Sequence, residues 1–345
     1  MQTFALQTSV PTCVVSPVRL SGGRIRPCPS VSRPVQRLRC SPVCIQAPSR
    51  PQLETAPSVM TSQPAQQPQL ISRETVKSLE AELDSGLSLP ALRRFSTNLE
   101  SLPADQWEAK LRPVMHELAY NLESFNPAFT AVLLKVQSSI GFSDYVQRDM
   151  ALKNLIQPLA GEYGMHNGQE QAKTHRELFS EFYADLPLTK THRELFSEFY
   201  ADLLGEPLEA ALGRNARPVA SVELFGQMMR DLMSGGRCSD PVEQASYAMG
   251  YNLAIEYLAD YEKTWMLDSF RVLNEKVLQP AGRTLNEWVF LEVHAEGEAE
   301  HAAIGHDAVV GFVPAGHAAI LRRAMLDHDR DFSAFYNKLA DMLEL

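Results

Sequence analysis

The sequence predicts an all-α protein, a bundle of about eight to ten helices in one domain. From Ile71 onward, apolar residues recur at helical spacing almost throughout. No segment alternates strictly between apolar and polar residues over more than four positions, as a half-buried strand would. With 45% apolar residues in a chain of 345, a sizeable core can be buried. The chain has no run of 18 apolar residues, so we expect no membrane span.

The expected helices follow one another along this domain, separated by proline and glycine. Ser88 and Pro90 divide the first two, Pro113 is a candidate kink in the third, and Pro158 interrupts the fifth. Residues 161–168 form a break before a duplicated segment that we expect to be helical. The other expected helices are Val76–Leu87, Leu89–Glu100, Gln106–Leu122, Pro127–Ser139, Asp144–Ala160, one from Pro218, one from about Pro241 to Leu278, and Ala315–Leu343.

A further helix is expected between residues 284 and 304. Thr284-Leu285-Asn286-Glu287 has the pattern of a capping box, in which each side chain accepts a hydrogen bond from the other residue's backbone N–H. Gly305 is the expected stop of this helix.

The N-terminal part of the chain differs in composition from the rest. Residues 1–50 contain seven arginines, no lysine and no acid, and the first acid is Glu54. This is typical of a transit peptide, which we place at residues 1–47 as a disordered leader, for the chloroplast (plastid stroma) rather than the mitochondrion. Residues 48–70, rich in Pro, Gln and Ser, are predicted to be a linker, and residues 71–345 the helical domain.

Charge and cysteine content exclude several kinds of site. After residue 50 the chain has 25 basic and 42 acidic residues, a net charge of −17, which disfavours nucleic acid as a partner. Four of the five cysteines lie in the leader, and only Cys238 remains in the domain. One thiol forms neither an internal disulfide nor a zinc-thiolate cluster, so a metal site here must use histidine and carboxylate.

The best-marked candidate site lies on the helix that contains WVFLEVHAEGEAEHAAIG. At 100° per residue, one stripe contains Trp288, Leu291, His294, Glu298, His301 and Gly305. This stripe begins apolar and then presents His294, Glu298 and His301, which are costly to bury without partners. Their spacing suits a divalent metal, or two metal ions about 3.5–4 Å apart. The alternative is a surface helix with His–Glu contacts.

Other helices offer further ligands of the same type. Glu256 lies among small and apolar residues, and Glu162 ends an apolar helix. Each copy of the duplicated segment has a histidine, His175 or His192, on its Leu/Phe side, where a core histidine bonded to a carbonyl is the alternative. His166, four residues after Glu162, competes for the same role.

Tyrosines near Glu256 are candidates for a redox role. Tyr251 and Tyr257, with Tyr247, Tyr261 and Trp265, could carry radicals, or could simply be core residues.

Together these segments resemble the haem-oxygenase-like di-iron oxidases, which include the chlamydial protein that associates with death domains and an alkene-forming fatty-acid decarboxylase. The resemblance covers roughly residues 95–310 and rests on GEYG, HRELFSEF, Gly250 six residues before Glu256, and FLEVHAEGEAEH. It implies a haem-oxygenase-like helical bundle that holds two Fe, or a Mn/Fe pair. The implied ligands are Glu162, His175 or His192, Glu256, His294, Glu298 and His301.

The resemblance also implies the activation of O2 and oxidation of a small organic or acyl substrate, with an electron donor. A homodimer is compatible with it. Two alternatives are a non-catalytic helical protein that binds a tetrapyrrole or lipid, and a thiaminase-like hydrolase that uses Cys238.

The duplicated segment itself is KTHRELFSEFYADL, at residues 173–186 and again at 190–203. A spacing of 17 residues and Pro187 between the copies prevent them from presenting one face of one helix. Two identical copies do not make an architectural array. We interpret them as a recent in-frame duplication of 51 nucleotides or an error of the gene model. The second copy leads into Leu204-Gly205, a natural helix end, which favours His192 as the ligand.

Overall fold

The computed structural model describes residues 69–162, 192–212 and 218–344. The helices in these ranges are α1 (Arg73–Leu83), α2 (Ser88–Glu100), α3 (Trp107–Gln137), α4 (Tyr145–Glu162), α5 (His192–Leu204), α6 (Leu208–Leu212), α7 (Val219–Ser234), α8 (Pro241–Leu273), α9 (Val289–Phe312) and α10 (Ala318–Leu343). Short 3-10 turns at Gly235–Arg237 and Ala315–His317 and a π-helical turn at Asn274–Leu278 complete them. The described ranges contain no strand, so the predicted all-α fold is confirmed.

Helix α8 is the centre of the bundle. Its start is fixed by Asp240, whose carboxylate accepts from the backbone N–H groups of Val242 and Glu243, with Pro241 at the first helical position. The helix then packs against α2, α3, α9 and α10. Gly250 permits a close approach to α10, because a Cβ there would lie 2.8 Å from the carbonyl oxygen of Leu321. Burial on several sides at once explains why its apolar residues do not form a single stripe.

The helices that carry the candidate ligands are neighbours. Helix α9 packs against α8 and also contacts α4 and α5, while α3 contacts α4, α5 and α8. Each of these helices contributes apolar side chains to one core. The fold therefore brings together the stretches of chain in which the sequence placed its candidates.

Two predicted helices, Gln106–Leu122 and Pro127–Ser139, are in fact one helix, α3. Pro113 and Pro127 both lie inside it, although an internal proline costs about 3 kcal/mol. Residues on both sides of Pro127 are buried, among them Leu118, Phe129 and Val132. Continuous burial of that face offsets the cost of the prolines, so the prediction of a break was wrong.

Both predicted ends of α9 were also wrong. Thr284 is not its N-cap: the backbone N–H groups of Asn286 and Glu287 donate to Asp202 Oδ2 on α5, at 2.6 and 2.9 Å, and the helix starts at Val289. These tertiary bonds take the place of the capping box. The helix also continues past Gly305 to Phe312, because Val309 and Phe312 bury there.

Parts of the sequence interpretation lie outside the described residues, namely the leader at 1–47, the linker up to residue 68 and the first copy of the repeat. The described chain begins beside the turn between α9 and α10, where Ile71 N donates to Val313 O and Ala315 N donates to Gln69 O, both at 2.8 Å. Among the described helices, none is both long and apolar enough to cross a membrane.

Candidate metal centre

A buried carboxylate meets a buried imidazole where α8 packs against α9. Glu256 on α8 is 0% exposed, and His301 on α9 is 9% exposed. Glu256 Oε2 lies 3.8 Å from His301 Nδ1. This distance exceeds that of a hydrogen bond. Each ligand of a divalent ion lies about 2.0–2.2 Å from it, so two ligands of one ion are at most about 4.4 Å apart. The pair therefore fits two donors to a common cation.

The stripe predicted on α9 faces inward at the residues whose side chains are described. Leu291, His301 and Gly305 are buried, and Trp288, just before the helix, is partly buried against the core. Gly305 lies against α8, since a Cβ there would meet Leu253 Cδ1 at 3.6 Å and Glu256 Cγ at 3.9 Å. This predicted face of α9 is therefore the face that packs against Glu256.

The remaining predicted ligands are placed only through their backbone or lie outside the described residues. His294 and Glu298 precede His301 by seven and three residues in α9, so they share its face of the helix. Glu162 is the last residue of α4, and His192 is the first of α5. The side chains of these four residues, and all of His166 and His175, are outside the described part of the chain. Among the described side chains, no group of three or more metal-ligating residues is found.

The two tyrosines proposed for a redox role make contacts to other helices. Tyr251 OH donates to Asp331 Oδ2 on α10 at 3.0 Å, and Tyr257 OH donates to Asp84 Oδ1, after α1, at 2.8 Å. Burial, and then the neighbouring aspartate, raises the pKa of each phenol. Five residues separate Tyr251 from Glu256, which turns their side chains about 140° apart on α8. These contacts account for both tyrosines as parts of helix packing.

Cys238 lies before the start of α8, beside the Arg323 guanidinium, whose Nη2 is 3.2 Å from its sulfur. The 15 residues from Pro241 to Glu256 alone span about 22 Å of helix. A nucleophile at Cys238 therefore has no access to the Glu256–His301 pair.

A narrow apolar crevice lies beside the N-terminal end of α9. Its lining comes from α3, α5, α8 and α9 and includes Leu118, Phe199, Phe270 and Leu291. Its volume is about 10 Å³, which is room for one water molecule at most. On α9, the positions of His294 and Glu298 lie between Leu291 and His301, and hence between the crevice and the Glu256–His301 pair.

Sequence reasoning missed several buried polar residues. Glu80 Oε1 lies 2.8 Å from His306 Nδ1, in a second carboxylate–imidazole pair on α9. Asn252, one turn before Glu256, is 1% exposed. His328 on α10 is 4% exposed, and its complete desolvation lowers its pKa to about 3. The signal for Asn252 and His306 is a polar side chain within a largely apolar helical stretch, the same signal that marks Glu256.

Glu117 on α3 is a further buried polar residue that was not predicted. Its apolar neighbours Val114, Met115, Leu118 and Ala119 carry the same signal. Glu117 is 4% exposed and caps the N-terminus of α7. Its carboxylate accepts from the backbone N–H groups of Val219, Ala220 and Ser221 at 2.7, 3.2 and 2.7 Å, and from the Ser221 hydroxyl.

Comparison with known proteins supports the fold. No protein-family model matches the chain, and no curated protein matches it. Among solved structures, the chain is similar to a CADD-like protein of unknown function from Nostoc punctiforme, with a TM-score of 0.55 and 14% sequence identity. The alignment covers 78% of this chain and 96% of that one. This likeness supports the helical fold of the chain.

Proposed function

We propose that the chain is a non-haem di-iron, or Mn/Fe, oxidase or oxygenase that activates O2 and oxidises a small organic or acyl substrate in the plastid stroma. The observation that carries the proposal is the fully buried Glu256 facing His301 at 3.8 Å, at the interface of two central helices. The fold that it shares with a CADD-like protein supports it.

The donor types fit the proposed ions. Imidazole and carboxylate together suit iron and manganese, whereas thiolate is absent from the candidate set. Glu256 and His301 would hold the metal, together with His294, Glu298, Glu162 and His192, with His175 as the alternative to the last. Three carboxylates would neutralise most of the charge of two divalent ions, so the buried site would have a small net charge and a lower cost of desolvation.

Two bound ions would supply electrons for the reduction of O2, and an external electron donor would return the ions to their reduced state. The contribution of the chain is enclosure and positioning. Gly305 on α9 packs closely against the Glu256 side chain, which is fully buried from solvent. The apolar crevice at the N-terminal end of α9 is too small for a substrate, but its lining of leucine and phenylalanine keeps this end of the helix interface apolar.

The proposal is tested by metal content and by reaction with O2. The full-length chain is loaded with Fe(II) without oxygen, metal per protein is counted, and O2 is then added while its consumption and the visible absorbance are followed. We expect about two metal ions per chain in the wild type. Absence of stoichiometric metal would instead favour a non-catalytic protein that binds a tetrapyrrole or a lipid.

A matched pair of variants assigns the metal to the site. Glu256→Gln removes the charge of the central carboxylate, whereas Glu80→Gln removes that of the other carboxylate–imidazole pair on α9. We expect only the first to lose metal. Equal metal content in both variants would contradict the assignment.

A further inference from the structure

Asn252 is the second polar residue on the inner face of α8. It lies four residues before Glu256, so the two side chains are about 40° apart around the helix and one turn apart along it. Helical side chains lean toward the N-terminus, so the Glu256 side chain extends toward the turn that contains Asn252. The other residues close to this stripe are Ala245, Ala248, Met249 and Ala259, all buried. The two polar groups therefore share a strip of otherwise apolar residues.

The amide oxygen of Asn252 lacks a partner. The residue is 1% exposed, and Oδ1 is buried with no hydrogen-bond donor within reach in the part of the chain that the structure describes. Leaving a buried acceptor unsatisfied costs about 1–3 kcal/mol. A leucine of similar size would avoid this cost. An asparagine in this place is therefore explained by something that its oxygen binds and that the polypeptide does not supply.

From this position we infer that Asn252 is a further metal ligand, whose Oδ1 donates to the cation held by Glu256 and His301. The inference rests on the proposed function, since it requires a cation at Glu256. An amide oxygen is a neutral, hard donor of the kind that suits Mn(II). It adds a ligand without adding charge, and it satisfies the orphan oxygen.

Mn(II) alone is the probe, because binding can be followed by the loss of the EPR signal of free Mn(II), without any turnover. The full-length chain is compared with Asn252→Leu, Asn252→Asp and, as control, His328→Leu. The control also removes a buried side chain whose polar atoms have no partner among the described residues, but at the contact of α10 with α8. Melting temperatures of each protein with and without Mn(II) are the second readout.

We expect Asn252→Leu to melt at or above the wild-type temperature without metal, and to bind Mn(II) about 10–100-fold more weakly. Asn252→Asp should melt lower than the wild type without metal, because it buries a charge, and should show a larger stabilisation by Mn(II). His328→Leu should bind Mn(II) as the wild type does.

An Mn(II) affinity of Asn252→Leu equal to that of the wild type would overturn the inference. If that variant does not fold, Asn252→Ser replaces it and the same criterion applies. A wild-type protein that binds neither Mn(II) nor Fe(II) would contradict the proposed function itself. A wild type that binds metal, together with an Asn252→Leu variant that binds it equally well, would contradict only the role of Asn252.

Discussion

Two buried glutamates, Glu117 on α3 and Glu256 on α8, stand in similar sequence surroundings and in different chemical ones. Both lie in largely apolar helical stretches, although His116 immediately precedes Glu117, and both are less than 5% exposed. Glu117 caps α7, where three backbone N–H groups and a serine hydroxyl donate to it. Glu256 instead faces the imidazole of His301 from 3.8 Å.

The difference shows what burial of a carboxylate does and does not indicate. The N-terminus of a helix carries partial positive charge and unsatisfied N–H groups, which stabilise an anion without any ligand. Glu117 is therefore explained by the fold. Glu256 lies in the middle of a long helix, whose backbone N–H groups are already used, so its charge calls for a cation or a proton from another source.

The largest effect is expected at the Glu256–His301 pair. His301→Ala or Glu256→Ala should weaken metal binding more than about 100-fold, beyond the range typical of groups that only orient a ligand. Equilibrium dialysis with Fe(II) or Mn(II) measures it. Unchanged metal binding in both variants would show that this pair, like Glu117, serves the fold and does not bind metal.

Loss of the other glutamate should act on stability alone. Glu117→Gln keeps the shape but replaces a charged acceptor for several donors, and we expect a loss of about 2–3 kcal/mol in the free energy of unfolding. Urea denaturation of the apoprotein measures it, and metal bound per folded chain should stay at the wild-type value. Metal loss in this variant would erase the distinction between the two glutamates.

The third prediction concerns His328, a buried imidazole whose pKa is shifted by desolvation alone. Desolvation holds His328 neutral in the folded protein, with a pKa of about 3 against about 6.5 when unfolded. Because the folded pKa is the lower one, this stability is complete above pH 6.5 and is lost as the pH falls toward 3. Between pH 6.5 and pH 5 the loss should be about 2 kcal/mol.

The control for this pH dependence is His328→Leu. Unfolding by urea at several pH values should show that the variant lacks this part of the decline, while the contribution of carboxylates below about pH 5 remains. A wild type and a variant with parallel pH profiles would contradict a neutral buried His328.

The smallest effect is expected from removing one copy of the repeat. Deletion of residues 174–190 shortens the connection between α4 and α5 from 29 to 12 residues. Loop closure then costs less, so stability should rise by less than about 1 kcal/mol, with metal binding intact. Thermal melting and metal counting measure this. Metal loss on deletion would show that both copies are needed.

Deletion of either copy produces the same chain, so point variants must separate the two histidines. In the full-length protein, His192→Ala should reduce the metal content and His175→Ala should not. The reverse result would assign the ligand to the first copy.

Periodicity predicted that the described chain is helical and which face of α9 turns inward, but not where α3 and α9 begin and end. Leu195, Phe196, Phe199 and Leu203 are buried as their spacing in the second repeat copy indicated. What the sequence could not supply were partners distant in the chain. The bonds from Asn286 and Glu287 to Asp202 replaced the predicted capping box.

The candidate site was predictable to a similar extent. The meeting of Glu256 with His301 was expected from residue type and from the resemblance. Asn252 was not: its place in an apolar helical stretch marks it as unusual but does not assign it a role, and the lack of a hydrogen-bond donor to its Oδ1 among the described residues is visible only once the neighbouring helices are in place. The separate roles of Glu117 and Glu256 could not be told apart for the same reason.

The end of α5 shows how little separates the two copies of the repeat in sequence. Gly205 follows α5 with φ of +73°, a conformation that glycine adopts without strain. The corresponding position after the first copy is Leu188, and it is preceded by Pro187. All fourteen repeated residues are interchangeable, so the choice of which copy occupies this place in the bundle rests on the two residues that follow. Replacing Pro187-Leu188 by Leu-Gly would give both copies the same two following residues. The C-terminal end of the copy would then no longer determine which histidine, His175 or His192, enters the bundle.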